Sequence, residues 1–296
     1  MAATSDSEKR AKVSRILTFS CVDGPGNRLV IFLQGCNFSC VNCHNPHTIN
    51  HCNHCGICVE HCPDGALTRS IEGKVFWNEA LCSNCDKCID ICSYQSNPKG
   101  WNYSVPELVE IIRDSHLFLQ GITISGGEAT LELPFITELF KAIKADKELS
   151  HLTCFVDSNG SLPDTGWDRI LPYLDGAMID LKAWQTETHE WLAGRGNHRV
   201  IKSINYLAAQ NKLYEVRLLL IPGKTDLTDE VSAVGDYLNR LPSSVAIRIN
   251  AFQHHGVSGE ALFWDTCTKE DVENFRVKLT GILGRNIITP PTLSLD

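Results

Sequence analysis

The stretch RLVIFLQGCNFSCVNCHNP, residues 28–46, joins a strand-like apolar run to three cysteines, Cys36, Cys40 and Cys43, with no fourth at a matching interval. The run has the length and the glycine stop of a buried strand. The same pattern recurs as GITIS (121–125), LTCFV (152–156), GAMIDL (176–181), YEVRLLLI (214–221) and VAIRINAF (245–252). Helix-like segments alternate with these strands: SVPELVEIIRDS with Ser104 as N-cap, LPFITELFKAIKAD, THEWLAGRGNHRVIKSINYLAAQ over 188–210, LTDEVSAVGDYLNRL, and TKEDVENFRVKLTGIL. Six strand–helix units in series predict an α/β fold with a parallel sheet, open or curled into a barrel. A cysteine-rich stretch over residues 48–100, closed by SNPKGWN, interrupts the first unit. The expected organisation is therefore one α/β domain over 14–47 and 101–290, with an insertion over 48–100.

Composition restricts the setting. The 296 residues suffice for a sizeable core without covalent staples, so size does not explain the 14 cysteines. The N-terminal MAATSDSEKRAK is polar and has no apolar segment of a secretion signal, and the expected location is a reducing cytoplasm. No apolar run approaches the roughly 18 residues of a membrane span. A formal charge of −8 opposes binding to phosphate backbones through net charge, so neither membrane nor nucleic acid is an expected partner.

Eleven of the 14 cysteines fall between Cys36 and Cys92, and Cys21, Cys154 and Cys267 read as small thiols without a role. CNHCGICVEHC from Cys52 and CSNCDKCIDIC from Cys82 both spell CxxCxxCxxxC and start 30 residues apart. This spacing matches the two-cluster ferredoxin run, in which three cysteines of one copy and the last of the other hold each [4Fe–4S] cube. Cys52, Cys55, Cys58 and Cys92 would take one cluster, and Cys82, Cys85, Cys88 and Cys62 the other. Zinc also binds paired CxxC units, but the third cysteine of each triplet has no place in a four-ligand zinc site. A disulfide framework does not suit the compartment.

In α/β folds ligands gather beyond the carboxyl ends of the strands. Those ends carry the three-cysteine loop, then SGGE (125–128), DSNG (157–160), DLK (180–182), Arg217, and NAFQHHG (250–256). Each is unremarkable alone, as a turn or a solvated charge. Together they line one rim with a three-thiolate loop.

CxxxCxxC, SGGE, DSNG, DLK, a fifth-strand arginine and IPG together resemble the radical S-adenosylmethionine superfamily. VDGPG at Val22 to Gly26 is similar to the activating enzymes of glycyl radical enzymes, and the insertion to those members with two extra clusters. The likeness is nearest to the YjjW group, whose expected partner is a glycine radical protein of the YjjI type. The resemblance implies a partial (β/α)6 TIM-like barrel with an inserted ferredoxin-like two-cluster domain, and three [4Fe–4S] clusters in all. It also implies that the coordination position left open by Cys36, Cys40 and Cys43 receives S-adenosylmethionine, as catalytic metal sites keep one position free. Reductive cleavage then gives a 5′-deoxyadenosyl radical that takes a hydrogen atom from a partner's glycine.

Further roles follow from the resemblance. Backbone at Gly126, Gly127 and Glu128 meets the methionine amino group, and Lys182 and Arg217 suit its carboxylate, with Asp180 and Leu181 alongside in the DLK strand end. Backbone around Asn42, Cys43 and His44 lies along adenine, with Asn42 where relatives carry an aromatic residue. Gln253, His254 or His255 takes the place of a ligand-contacting histidine. Asp157, Ser158, Met178 and Asp180 match a monovalent cation site, and Asp23 a grip on the partner's glycine loop. A ferredoxin or flavodoxin is the expected reductant. Two alternatives stay open: the same chemistry on a small molecule, or a plain electron-transfer iron–sulfur protein.

Overall fold

The computed structural model describes residues 9–290. Residues 1–8, part of the polar N-terminal stretch, lie outside them. The chain divides into two compact units. One runs to Asn37 and resumes over His47–Cys154, and the other comprises Phe38–Pro46 and the described chain from Phe155 onward.

The first unit contains, in chain order, β1 (Arg10–Ser20), β2 (Arg28–Leu33), α1 (Ile57–Glu60), β3 (Leu67–Arg69), β4 (Val75–Trp77), α2 (Lys87–Asp90), β5 (Trp101–Ser104), α3 (Val105–Ser115), β6 (Gly121–Gly126) and α4 (Leu133–Ala145). Its main strands are ordered β6-β2-β1-β5. β2 and β6 are parallel, from Arg28 opposite Gly121 to Leu33 opposite Gly126, while β1 is antiparallel to both β2 and β5. Leu29, Val30, Ile31 and Leu33 are buried beside Ile122 and Ile124, as a doubly covered strand pair requires. β3 and β4 form a separate antiparallel hairpin.

The second unit contains β7 (Thr153–Ser158) from Phe155 onward, α5 (Asp164–Ile170), β8 (Gly176–Leu181), α6 (Thr186–Ala193), α7 (His198–Ala209), β9 (Leu213–Leu220), α8 (Val231–Asn239), β10 (Ala246–Ala251) and α9 (Lys269–Leu283). Its strands run β10-β9-β8-β7, and its β7–β8, β8–β9 and β9–β10 pairs are all parallel. The architecture is thus α/β with mostly parallel strand pairing.

All six strands expected from the sequence are present, and β1, β5 and the β3–β4 hairpin add to them. One expected helix is two. The segment read as continuous over 188–210 breaks between α6 and α7, where Gly194 adopts the left-handed conformation at φ 75° and closes α6 by donating its N–H to Glu190. No helix among the described residues is long and apolar enough to cross a membrane.

Candidate active site

In the first unit the ends of β2 and β6 meet backbone to backbone. Gly127 N–H donates to Leu33 O at 3.1 Å and Glu128 N–H to Gly35 O at 2.8 Å. A Cβ on Gly127 would stand 2.3 Å from the Gly35 oxygen, and one on Gly126 2.2 Å from the Leu33 oxygen, so both glycines of SGGE are needed for this approach. Glu128 is buried, and its carboxylate accepts from Thr130 N–H at 3.0 Å, capping the turn that leads to α4. The chain leaving β2 is fixed by Gly35 N–H to Thr48 O and Cys36 N–H to Ile49 O, both 2.8 Å.

The VDGPG loop belongs to the same unit. The Asp23 carboxylate accepts from Ser20 Oγ, and its backbone oxygen from Thr123 Oγ1 at 2.6 Å. Arg28, fully buried, donates to Thr123 Oγ1 at 2.7 Å, Ile122 O at 2.6 Å and Pro25 O at 3.2 Å, and so ties the loop to β6. Sequence reasoning missed Arg28, although an arginine opening an apolar strand is the available signal.

Cys40 and Cys43 lie in the second unit. Ser39 and Val41 N–H donate to Ala193 O at 3.1 Å and Leu192 O at 2.9 Å, so the C-terminal end of α6 carries the loop. Burial pushes the Cys43 thiol up to about 11 and raises Cys40 as well, and Lys182 pulls both back toward the thiolate. Lys182 forms a 2.8 Å ion pair with Asp180. Burial opposes its charge, but Asp180, Cys40 and Cys43 more than offset that and hold the ammonium protonated. Leu181 is buried between them, on the opposite face of β8.

Asn42 is 6% exposed, and its Oδ1 has no hydrogen-bond partner among the described residues. His44 packs edge-on against Phe252, and burial, Lys182 and His255 lower its pKa. Gly256 lies against the His44 carbonyl, where a Cβ would come within 2.1 Å. Gln253 Nε2 donates to Cys267 O at 3.0 Å and His254 Nε2 to Trp264 O at 2.8 Å. The two named side chains thus anchor the loop after β10, and His255 is the one whose charge reaches His44.

Parallel register aligns a row of polar side chains across β7 to β10. Asp157 is opposite Met178, Met178 opposite Glu215, Asp180 opposite Arg217, and Arg217 opposite Arg248. Arg217 donates to Asp157 at 3.0 Å, Glu215 at 2.7 Å and Met178 Sδ at 3.1 Å, and Arg248 shares Glu215 at 2.9 Å. Burial disfavours the guanidinium, yet Asp157, Asp180 and Glu215 raise its pKa above the ordinary value. The like charges of Asp157 and Asp180 are therefore already met by Arg217 and Lys182. Ser158 Oγ accepts from Gly160 N–H at 3.0 Å and shapes the DSNG turn. Glu215 and Arg248 are neighbours of Arg217 that the sequence reading missed, because their partnership lies in cross-strand register.

The duplicated cysteine runs, back in the first unit, match residue for residue. His54 and Asn84, then Gly56 and Asp86, take left-handed backbone ahead of α1 and α2. Cys58 and Cys88 are each 8% exposed and raised to about 11, first by burial. One small cavity is lined by Cys52, Cys55, Cys58 and Cys92. A second is lined by Cys62, Cys82, Cys85 and Cys88. Each cradle takes three thiols from one run and the last from the other. Among the described residues, no three His, Cys, Asp or Glu side chains close on one ion-sized point.

Residues 30–232 match the radical SAM superfamily. The isethionate sulfite-lyase activating enzyme of Desulfovibrio desulfuricans is 27% identical over 258 residues, covering 80% of this chain and 81% of that one. The pyruvate formate-lyase 1-activating enzyme of Escherichia coli K12 is 29% identical over 251 residues, covering 82% of each. Among solved structures, a radical SAM methyltransferase from Sphaerobacter thermophilus aligns at TM-score 0.56 and 14% identity, over 98% of this chain and 74% of that one, a likeness of fold alone.

Proposed function

Because the chain belongs to the radical SAM superfamily, whose members use a [4Fe–4S] cluster and S-adenosylmethionine, we propose that it activates a glycyl radical enzyme. The observation that carries this reading is the similarity to two activating enzymes over about four fifths of every chain involved. When bound, the cluster and S-adenosylmethionine supply a one-electron cleavage that yields the 5′-deoxyadenosyl radical, and this takes a hydrogen atom from the partner's glycine.

The residues present fit these groups. Cys36, Cys40 and Cys43 would hold the cluster, with Lys182 offsetting the charge of the last two. Gly127 and Glu128 have spent their N–H groups on Leu33 and Gly35, so what SGGE offers an ammonium is carbonyl oxygen. Lys182 and Arg217 would bind a carboxylate, Arg217 held in orientation by Asp157 and Glu215. The partnerless Asn42 oxygen suits the amino group of adenine. Of Gln253, His254 and His255, His255 would be the ligand contact, because it lies by His44 while the other two side chains anchor the loop. Asp23 would receive the glycine loop.

We assign two further [4Fe–4S] clusters to the four-cysteine cradles of an inserted domain over 48–100, fed by a ferredoxin or flavodoxin. The remainder, 14–47 and 101–290, we read as a partial barrel of six strand–helix units. A monovalent cation at Asp157, Ser158, Met178 and Asp180 rests on family likeness alone, since Arg217 and Lys182 already balance the carboxylates.

Anaerobic reconstitution tests the reading. About 12 iron atoms per chain, 5′-deoxyadenosine release with dithionite, and a glycyl radical signal that needs an added protein with a C-terminal glycine loop are the expected results. Release of 5′-deoxyadenosine without a protein radical across such partners would overturn activation and favour a small-molecule substrate.

A further inference from the structure

The two four-cysteine cradles differ in their other walls. The lining shared by Cys52, Cys55, Cys58 and Cys92 contains no charged residue. The lining shared by Cys62, Cys82, Cys85 and Cys88 contains Asp64, Asp86 and Lys99. Lys99 is 9% exposed, and its ammonium pairs with Asp86, whose side chain is 56% exposed. Asp64 is occupied by Ser83, accepting from its N–H at 3.2 Å and from its hydroxyl. The apolar core of Leu67 and Val75, with Trp77 and Ile89 packed on it, is common to both cradles, since it takes in Cys58 of one and Cys88 of the other. Lys12, which carries charge toward Cys52, stands outside the first lining and donates to Gly100 O at 3.0 Å.

We propose that the Lys99–Asp86 pair sets the reduction potential of the cluster held by Cys62, Cys82, Cys85 and Cys88, making it the easier of the two to reduce. This rests on the two-cluster reading above. Four thiolates and an oxidised cube carry a net charge of about −2, which becomes about −3 when one electron arrives from a low-potential electron-carrier protein. No bond changes and no proton is required. A buried cation stabilises the more negative state more strongly, because its field acts through a weakly screening interior. Asp86 and Asp64 both oppose that field, but both are exposed and screened by water. Lys99 therefore dominates, and this cradle is where an incoming electron comes to rest.

The test uses the full chain carrying Cys40→Ala and Cys43→Ala, so that only the two four-cysteine clusters contribute signal, followed by potentiometric titration read by electron paramagnetic resonance. The parent should hold about 8 iron atoms and show two midpoints. Lys99→Met, which keeps the aliphatic stem, should lower the higher of the two midpoints and leave the other, and a shift of the lower midpoint instead overturns the inference. Asp86→Asn, whose side chain tolerates the left-handed backbone at φ 57°, should raise the same one. Lys99→Arg should leave it in place. With about 8 iron atoms retained, unmoved midpoints or shifts of the same sign in the Met and Asn variants overturn the inference. If Lys99→Met loses iron, Asp86→Asn decides alone, and absence of a rise overturns it. A parent that binds no iron overturns the two-cluster reading itself.

Discussion

At the scale of single residues, the first unit depends on backbone contacts that admit no side chain. Gly127 is the sharpest case, because its missing Cβ would meet two fixed oxygens, Gly35 O at 2.3 Å and Thr48 O at 2.7 Å. Backbone cannot swing aside as a flexible side chain does, so Gly127→Ala must displace the chain that carries Cys36. The cost expected for such overpacking is about 1–3 kcal/mol, read as a lowered unfolding midpoint, with weaker S-adenosylmethionine binding in the folded fraction. A substitution as stable as the parent would mean that SGGE and the chain after β2 are not held together as described. The charged row gives a second prediction. Arg217→Met leaves the partly buried Asp157 without this cation and the buried Glu215 with Arg248 alone, and since removing one partner of a fully buried pair costs roughly 3–5 kcal/mol, a loss toward the lower end of that range is expected. Denaturant unfolding of that variant against Arg217→Lys, which keeps the charge, separates the ionic contribution from the geometry of the fork.

At the scale of elements, α3 is stabilised by a reciprocal cap. The Ser104 hydroxyl accepts from Glu107 N–H, the Glu107 carboxylate accepts from Ser104 N–H at 2.7 Å, and Arg10 of β1 adds an ion pair at 2.6 Å. Ser104→Ala should cost about 1 kcal/mol. The Ser104 backbone N–H, then Arg10 and the Ser104 hydroxyl, pull the Glu107 carboxyl from 4.5 down to about 2. Its stabilising contribution is thus complete above pH 4.5 and is lost as the pH falls from there toward about 2. Thermal melts of Glu107→Gln against the parent should show a deficit at neutral pH that closes over that acid window, and a deficit constant with pH would contradict the cap. This helix start was legible because capping is local chemistry written in adjacent residues. The six parallel strands were legible for a similar reason, being short continuous apolar runs with clear stops. β1 was not, since its pairing with β2 shifts register between Val13 and Arg15 and again between Leu17 and Ser20, which breaks the alternation. The break between α6 and α7 was hidden in a periodic run, where one glycine counts for little until its left-handed φ is seen. Glu215 and Arg248 were missed because their meaning lies in cross-strand register, which no local pattern states.

At the scale of the molecule, the three cysteine groups stand on very different amounts of apolar support. Cys40 and Cys43 belong to a unit rich in fully buried side chains, among them Trp167, Phe252 and Phe275. The duplicated runs instead surround a small core of Cys58, Leu67, Val75 and Cys88, in which two of the four members are the cradle thiols themselves. On the proposed two-cluster reading, so little apolar burial leaves metal binding to supply much of the folding energy of residues 48–100, and the two extra clusters would be structural supports as well. Cys85→Ala should then loosen the insertion and weaken partner activation, while reductive cleavage of S-adenosylmethionine with dithionite stays detectable; Cys40→Ala should abolish both. Complete loss of cleavage in a folded Cys85 variant would show that the roles are not separable. Iron removal by an anaerobic chelator extends the argument to the whole chain. Hydrogen exchange should accelerate across residues 52–92, α1, α2 and the β3–β4 hairpin included, whereas β8 and β9 keep their protection because their hydrogen bonds and buried neighbours owe nothing to iron. Equal loss of protection in both places would mean that the chain unfolds as one cooperative unit and that β8 and β9 also depend on iron.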